Sequence, residues 1–148
     1  MADLSETEIR NAQYACEALG IEYAEIVDTK DFARLREVFA EDATFVMPSA
    51  PGQPIRGIDN IIAAFAARPR NRLTHHLVTN TRIRVETPDT AVGTSRVLLY
   101  TTDESEPVTP EGRKAAPKQM MGTYYDRFVR TKNGWRFSER RGTITLHT

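Results

Sequence analysis

The chain carries two hydrophobic rhythms, and they are segregated. Up to about Pro69 the apolar residues recur mainly at steps of three and four, with one short strand-like run among them. Beyond it they sit in long strand-like runs punctuated by turn residues. "SETE" (Ser5 to Glu8) has capping-box spacing, and Ile9, Ala12, Cys16, Leu19, Tyr23 and Ile26 then define one helical face reaching Val27 or Asp28. "DTKD" (Asp28 to Asp31) is turn chemistry with a new N-cap. "FARLREVFA" follows as a short helix with Phe32, Leu35, Val38 and Phe39 inward. "ATFVMP" is a short strand stopped by Pro48, and "SAPGQP" is a loop. "GIDNIIAAFAARP" is a third helix with Ile58, Ile61, Ile62 and Phe65 on one face.

Four strands follow: "LTHHLVTNTRIRVE", "AVGTSRVLLYTT" with Gly93 as a candidate bulge, "KQMMGTYYDRFVR" and "WRFSERRGTITL". "TPDT" and "TKNG" are tight turns, and "DESEPVTPEGRKAAP" (Asp103 to Pro117) is expected to be a mobile loop. Helices followed by strands imply an α+β fold, with the helices on one face of an antiparallel sheet. A curved sheet wrapped by helices leaves a cavity, a natural site for a small molecule.

The length of 148 residues fits one domain spanning 1–148. Lys plus Arg and Asp plus Glu are 20 each, so net charge gives no pull toward nucleic acid or anionic membranes. No apolar run approaches the ~20 residues of a membrane span. "MADLSETEIR" has no signal-peptide core, so the expected location is cytoplasmic. The single cysteine, Cys16, excludes an intramolecular disulfide and a cysteine-built zinc site, and its place in a helical stripe marks it as a buried, inert thiol.

Chemistry concentrates in "RLTHHLVTNTRIRV" (Arg72 to Val85), which holds two of the three histidines. A histidine can take and give a proton near neutral pH, and a carboxylate on its far nitrogen fixes its tautomer. Adjacent strand residues face opposite ways. His76 therefore goes with Val78 and Asn80, and His75 with Leu77, Thr79, Thr81, Ile83 and Val85. Parity leaves open which set faces the cavity, and a surface or structural histidine fits the pattern too. Asp28, at the C-terminal end of the first helix, is the candidate partner; the helix dipole disfavours a carboxylate there unless a counter-charge helps it. An ordinary turn aspartate is the alternative. Adjacent strand histidines are poorly placed to chelate one ion, so no metal is expected. His147, near the terminus, is expected to fray.

The succession "YAEIVDTKDFARLREVFAEDATFVMP", "GIDNIIAAF", "THHLVTNTRIRVETPDTAVGTSRVLLY" and "GTYYDRFVRTKNGWRFSERR" resembles the SnoaL-like branch of the nuclear-transport-factor-2-like superfamily over about Glu8 to Leu146. The resemblance implies a cone-shaped α+β barrel: a strongly bent, mixed or antiparallel sheet closed by three helices around a deep apolar pocket. It also implies a homodimer or homotrimer. The lyases of the family carry an Asp–His dyad, and Asp28 and His76 match its two positions. The implied activity is a cofactor-independent, dehydratase-like lyase acting on a small hydrophobic molecule of polyketide, steroid or aromatic type. Isomerase, polyketide cyclase, binding-only and dioxygenase-small-subunit roles are the alternatives. A scytalone-type site would have tyrosines at Val27 and Met47 and a second histidine near Met120, and this chain has none of them. The implied pocket residues are Tyr23, Val27, Met47, Phe65, Met120 and Tyr125, each equally compatible with plain core. An arginine of "SERR" (Ser138 to Arg141) is expected at the surface or in a salt bridge rather than at the pocket.

Overall fold

The computed structural model describes residues 3–148, so Met1 and Ala2 of the polar N-terminal stretch lie outside the described residues. Helix α1 spans Glu6–Thr29. Its start is the expected capping box: Ser5 Oγ accepts from the Glu8 amide at 3.2 Å, and the Ser5 amide donates to Glu8 Oε2 at 2.8 Å. It ends on Lys30 in the left-handed region, φ 61°, whose amide reaches back to the carbonyls of Ile26 and Val27.

The second helical segment is a 3₁₀ turn, Phe32–Glu37. The chain is already extended at Phe39, because the Phe137 amide donates to the Val38 carbonyl at 2.7 Å and starts sheet pairing there. Strand β1 is therefore Phe39–Val46 rather than beginning at Ala43. A two-residue strand β2, Ile55–Arg56, precedes helix α2, Ile58–Ala66. The long strands are β3 (Arg72–Thr87), β4 (Thr90–Asp103), β5 (Met120–Thr131) and β6 (Gly134–His147).

The order across the sheet is β2-β1-β6-β5-β4-β3. β1 runs parallel to β6 and all other pairs are antiparallel, so the sheet is mixed. It stays open rather than closing into a barrel. β2 is too short to close it, and the outer edge of β3 is taken by α1. Gln13 Nε2 donates to the Ile83 carbonyl at 3.2 Å, and Asp28 accepts the His76 amide at 2.8 Å. Helical side chains thus satisfy an edge that would otherwise template another strand.

The face of β3 changes partway along. The ladder with β4 slips between Thr79 and Arg82, and Asn80 sits there with φ 54°. Before the slip Thr74, His76 and Val78 are partly covered while His75, Leu77 and Thr79 are exposed; after it Thr81, Ile83 and Val85 are partly covered while Arg82 and Arg84 are exposed. One inserted residue reverses the side-chain parity. The bulge lies on β3, not at Gly93, which instead makes room beside it. A Cβ at Gly93 would come within 2.5 Å of Ile83 Cδ1 and 2.9 Å of the Arg82 carbonyl oxygen.

Two segments are more ordered than expected. The 103–117 loop is pinned to β4: the Ala116 amide donates to the Thr101 carbonyl at 2.8 Å and Thr102 Oγ1 to the Lys114 carbonyl at 2.7 Å. His147 pairs with Met120 inside the β5–β6 ladder, and Thr148 Oγ1 donates to the Pro117 carbonyl at 2.8 Å.

The core is aromatic and centred on Tyr23. Its ring lies 5.9–6.3 Å from those of Phe39, Phe45, Phe65, Tyr124 and Phe137. Four of these five contacts are edge-on, the geometry that ring quadrupoles favour, each adding roughly 0.5–1.5 kcal/mol beyond burial. Beneath them Arg140 is fully buried. Its Nε and Nη2 donate to Asp126 Oδ1 and Oδ2 at 2.9 and 3.0 Å, and its guanidinium stacks 3.8 Å from the Tyr124 centroid. Burial works against this cation, but Asp126 and the tyrosines hold it charged, above its ordinary value. Asp126→Asn would leave the guanidinium without its counter-charge. We expect a loss of roughly 3–5 kcal/mol in urea unfolding; an unchanged midpoint would show that the aromatic faces alone satisfy Arg140.

Candidate active site

Asp28 stands in the last turn of α1 and β3 passes beside it. Three donors converge on its carboxylate. Thr74 Oγ1 donates to Oδ1 at 2.8 Å, the His76 amide donates to Oδ2 at 2.8 Å, and His76 Nδ1 lies 2.6 Å from Oδ1. Thr74 and His76 are two apart on the strand, so one pleat face presents both. The unfavourable helix-dipole position of Asp28 is thereby offset by donors rather than by a basic residue of its own helix.

Burial pushes the Asp28 carboxyl up, but the hydrogen bonds from the His76 ring and amide, the attraction of His76 and the Thr74 hydroxyl outweigh it. The net result lies below the usual carboxylate value. An ionised Asp28 can only accept, so in the neutral imidazole the proton belongs on Nδ1 and the Nε2 lone pair is free. His76 lines a cavity of ≈ 510 Å³, and its side chain is only 8 % exposed. A hydrogen-bonded imidazole thus borders a mainly apolar space.

The walls come from Tyr23 of α1, Phe45 of β1 and Met47 just after it, Val97 and Leu99 of β4, and Met120, Gly122 and Tyr124 of β5. Of the residues named from sequence, Tyr23, Met47 and Met120 line it with His76. Val27 lines a neighbouring hollow of ≈ 440 Å³ that holds Thr74 but not His76. Phe65 is fully buried behind the wall, under the Arg68 guanidinium at 4.0 Å. Tyr125 points away from the cavity, 43 % exposed, with Arg141 5.1 Å from its ring centroid; strand alternation gives the inner place to Tyr124. His75 lines a separate shallow hollow with Tyr100.

Burial pushes the Tyr23 and Tyr124 phenols up, so both remain neutral hydroxyls that can donate to a ligand oxygen. Cys16 is buried in the helical stripe, and burial pushes its thiol up to about 12, consistent with an inert role. Among the described residues, no three His, Cys, Asp or Glu side chains gather as a metal site would require. None of the helices described is long and apolar enough to cross a membrane.

Several contributors escaped sequence reasoning. Thr74 was legible as the residue two before His76. Arg68, Arg72 and Lys118, which also line the cavity, fall in polar connections or at a strand start, where periodicity is silent. Arg140 became intelligible only through the register that sets it opposite Asp126.

A bent mixed sheet with helices packed against one face defines an α+β fold of the cystatin-like, nuclear-transport-factor-2-like kind. The chain belongs to the SnoaL-like domain family, which it matches over residues 6–141. Similar solved structures include the Kfla4162 protein of Kribbella flavida, 25% identical with a TM-score of 0.78, covering 94% of each chain. A type 2 hexachlorocyclohexane dehydrochlorinase, LinA, is 19% identical with a TM-score of 0.79, covering 97% of this chain and 92% of its own. A scytalone dehydratase-like protein of Novosphingobium aromaticivorans is 22% identical with a TM-score of 0.72, covering 91% and 85%. No curated protein matches the sequence.

The lowered Asp28 value has a thermodynamic consequence. A carboxyl with a depressed folded-state value contributes stability above its unfolded value, and loses it as pH falls through the folded one. Wild type should therefore exceed Asp28→Asn in urea midpoint near neutrality. The gap should close as pH falls below the ordinary 3.8. A gap independent of pH would mean that Asp28 has the same proton affinity folded and unfolded.

Proposed function

We propose that this protein is a cofactor-independent acid–base enzyme, a lyase of the dehydratase or dehydrochlorinase type, acting on a small hydrophobic molecule. The observation that carries this reading is the 2.6 Å contact between Asp28 Oδ1 and His76 Nδ1 at the edge of an apolar cavity. His76 Nε2 takes a proton from a carbon or hydroxyl of the substrate. The electron pair released forms a double bond as a leaving group departs from the adjacent carbon. Asp28 holds the ring in orientation and stabilises the imidazolium that results. The imidazolium then returns its proton to solvent or to the departing group.

Membership of the SnoaL-like family, and folds shared with a dehydrochlorinase and a scytalone dehydratase-like protein, support an elimination. A second reading, isomerisation or cyclisation through the same dyad, draws support from Tyr23 and Tyr124. Two neutral phenols on the cavity wall suit the oxygen of an enolate better than a departing halide. Product analysis separates the readings: elimination gives an alkene with water or halide, isomerisation an isomer of the substrate, and cyclisation a new ring.

General acid–base catalysis is worth about 10²- to 10⁴-fold. His76→Ala and Asp28→Asn should each lower kcat by about that range while circular dichroism stays native. Full activity in both variants would remove His76 from the chemistry.

A further inference from the structure

The cavity that holds His76 is apolar in its walls but not in its charge. Arg68, Arg72 and Lys118 line it, and no Asp or Glu does. The guanidinium of Arg68 lies over the Phe65 ring, which positions it without neutralising it. Among the described residues, none of the three cations finds a carboxylate within 4 Å. The neighbouring hollow contains one acid, Glu104, and that side chain faces Lys30 at 4.0 Å. Arg68 and Arg72 stand four apart where α2 gives way to β3, and they border both hollows. Burial of Arg68 and, to a lesser degree, the repulsion of Arg72 disfavour the Arg68 cation. A site meant for a wholly neutral molecule gains nothing from holding like charges together at its rim.

Resting on the acid–base reading of the same site, we propose that its substrate is an anion: an apolar ring system carrying an oxyanion group, a carboxylate or a phosphate. Arg68, Arg72 and Lys118 hold that group at the rim. The ring system lies between Met47, Val97, Leu99 and Met120 and so meets His76. Arginine forks suit planar oxyanions, and the charge draws such molecules toward the mouth. The three cations act as specificity determinants, and the proton transfer belongs to His76.

A matched pair of fluorescent probes tests this without turnover, so its outcome is separate from that of the catalytic variants. 8-Anilinonaphthalene-1-sulfonate carries an anion, and N-phenyl-1-naphthylamine is its neutral counterpart. The sulfonate should bind the wild-type protein roughly tenfold more tightly, the effect of one charge-assisted contact. Arg72→Gln and Lys118→Gln alter exposed side chains and should fold normally. Each should weaken sulfonate binding several-fold, and Arg68→Gln roughly tenfold, with the neutral probe unmoved. Added salt should weaken only the sulfonate. 1-Naphthoate and 1-naphthyl phosphate should displace the sulfonate better than 1-naphthol, and whichever is stronger identifies the oxyanion. Equal affinity for both probes, unchanged sulfonate binding in all three variants, or displacement by 1-naphthol as effective as by the anions would overturn the proposal.

Discussion

One carboxylate ties the helical half of this protein to its sheet. Asp28 closes α1, and it accepts a threonine hydroxyl, a strand amide and an imidazole from the outermost long strand. The contact solves two problems together. A carboxylate at a helix C-terminus needs donors, and an edge strand needs its exposed amides occupied. Because both needs are met by one residue, the position of the His76 ring is inherited from the packing of α1 on β3. The candidate catalytic geometry is thus part of the fold.

Beneath this contact lies a second polar unit, the Arg140–Asp126 pair, enclosed by aromatic rings. Tyr23 belongs to both levels: its ring packs against Phe39, Phe45, Phe65 and Phe137, and it also lines the cavity. A charged pair in an apolar core adds little net stability compared with a well-packed hydrophobic replacement, but it is costly to break. Its bidentate geometry fixes β5 against β6 in the register that turns Tyr124 inward and Tyr125 outward. The shape of the cavity wall therefore depends on a pair that does not border the cavity.

Much of this was legible from residue order, and what was not has physical reasons. The helix from the capping box to Asp28, the four long strands and the Asp28–His76 juxtaposition follow from periodicity, turn chemistry and family resemblance. Strand parity failed as a guide along β3 because the Asn80 bulge swaps its faces: Ile83 and Val85 pack on the core although they share sequence parity with His75. The parallel neighbour of β1 and the start of that strand at Phe39 depend on pairing with β6, far away in sequence. The expected barrel is an open sheet because its closing elements are a two-residue strand at one edge and helix side chains at the other. Of the expected pocket residues, Val27, Phe65 and Tyr125 stand elsewhere. An apolar helix or strand position says that a side chain is covered, not by what.

The proposed chemistry requires His76 to keep its proton on Nδ1, held by Asp28, and to present a bare Nε2 to the cavity. Nitrogen-15 NMR of the imidazole in the intact protein, at mildly alkaline pH, reads the tautomer directly. Wild type should show a single Nδ1–H tautomer, lost in Asp28→Asn. An Nε2–H tautomer, or the averaged signal of a freely exchanging imidazole in wild type, would contradict the proposed chemistry.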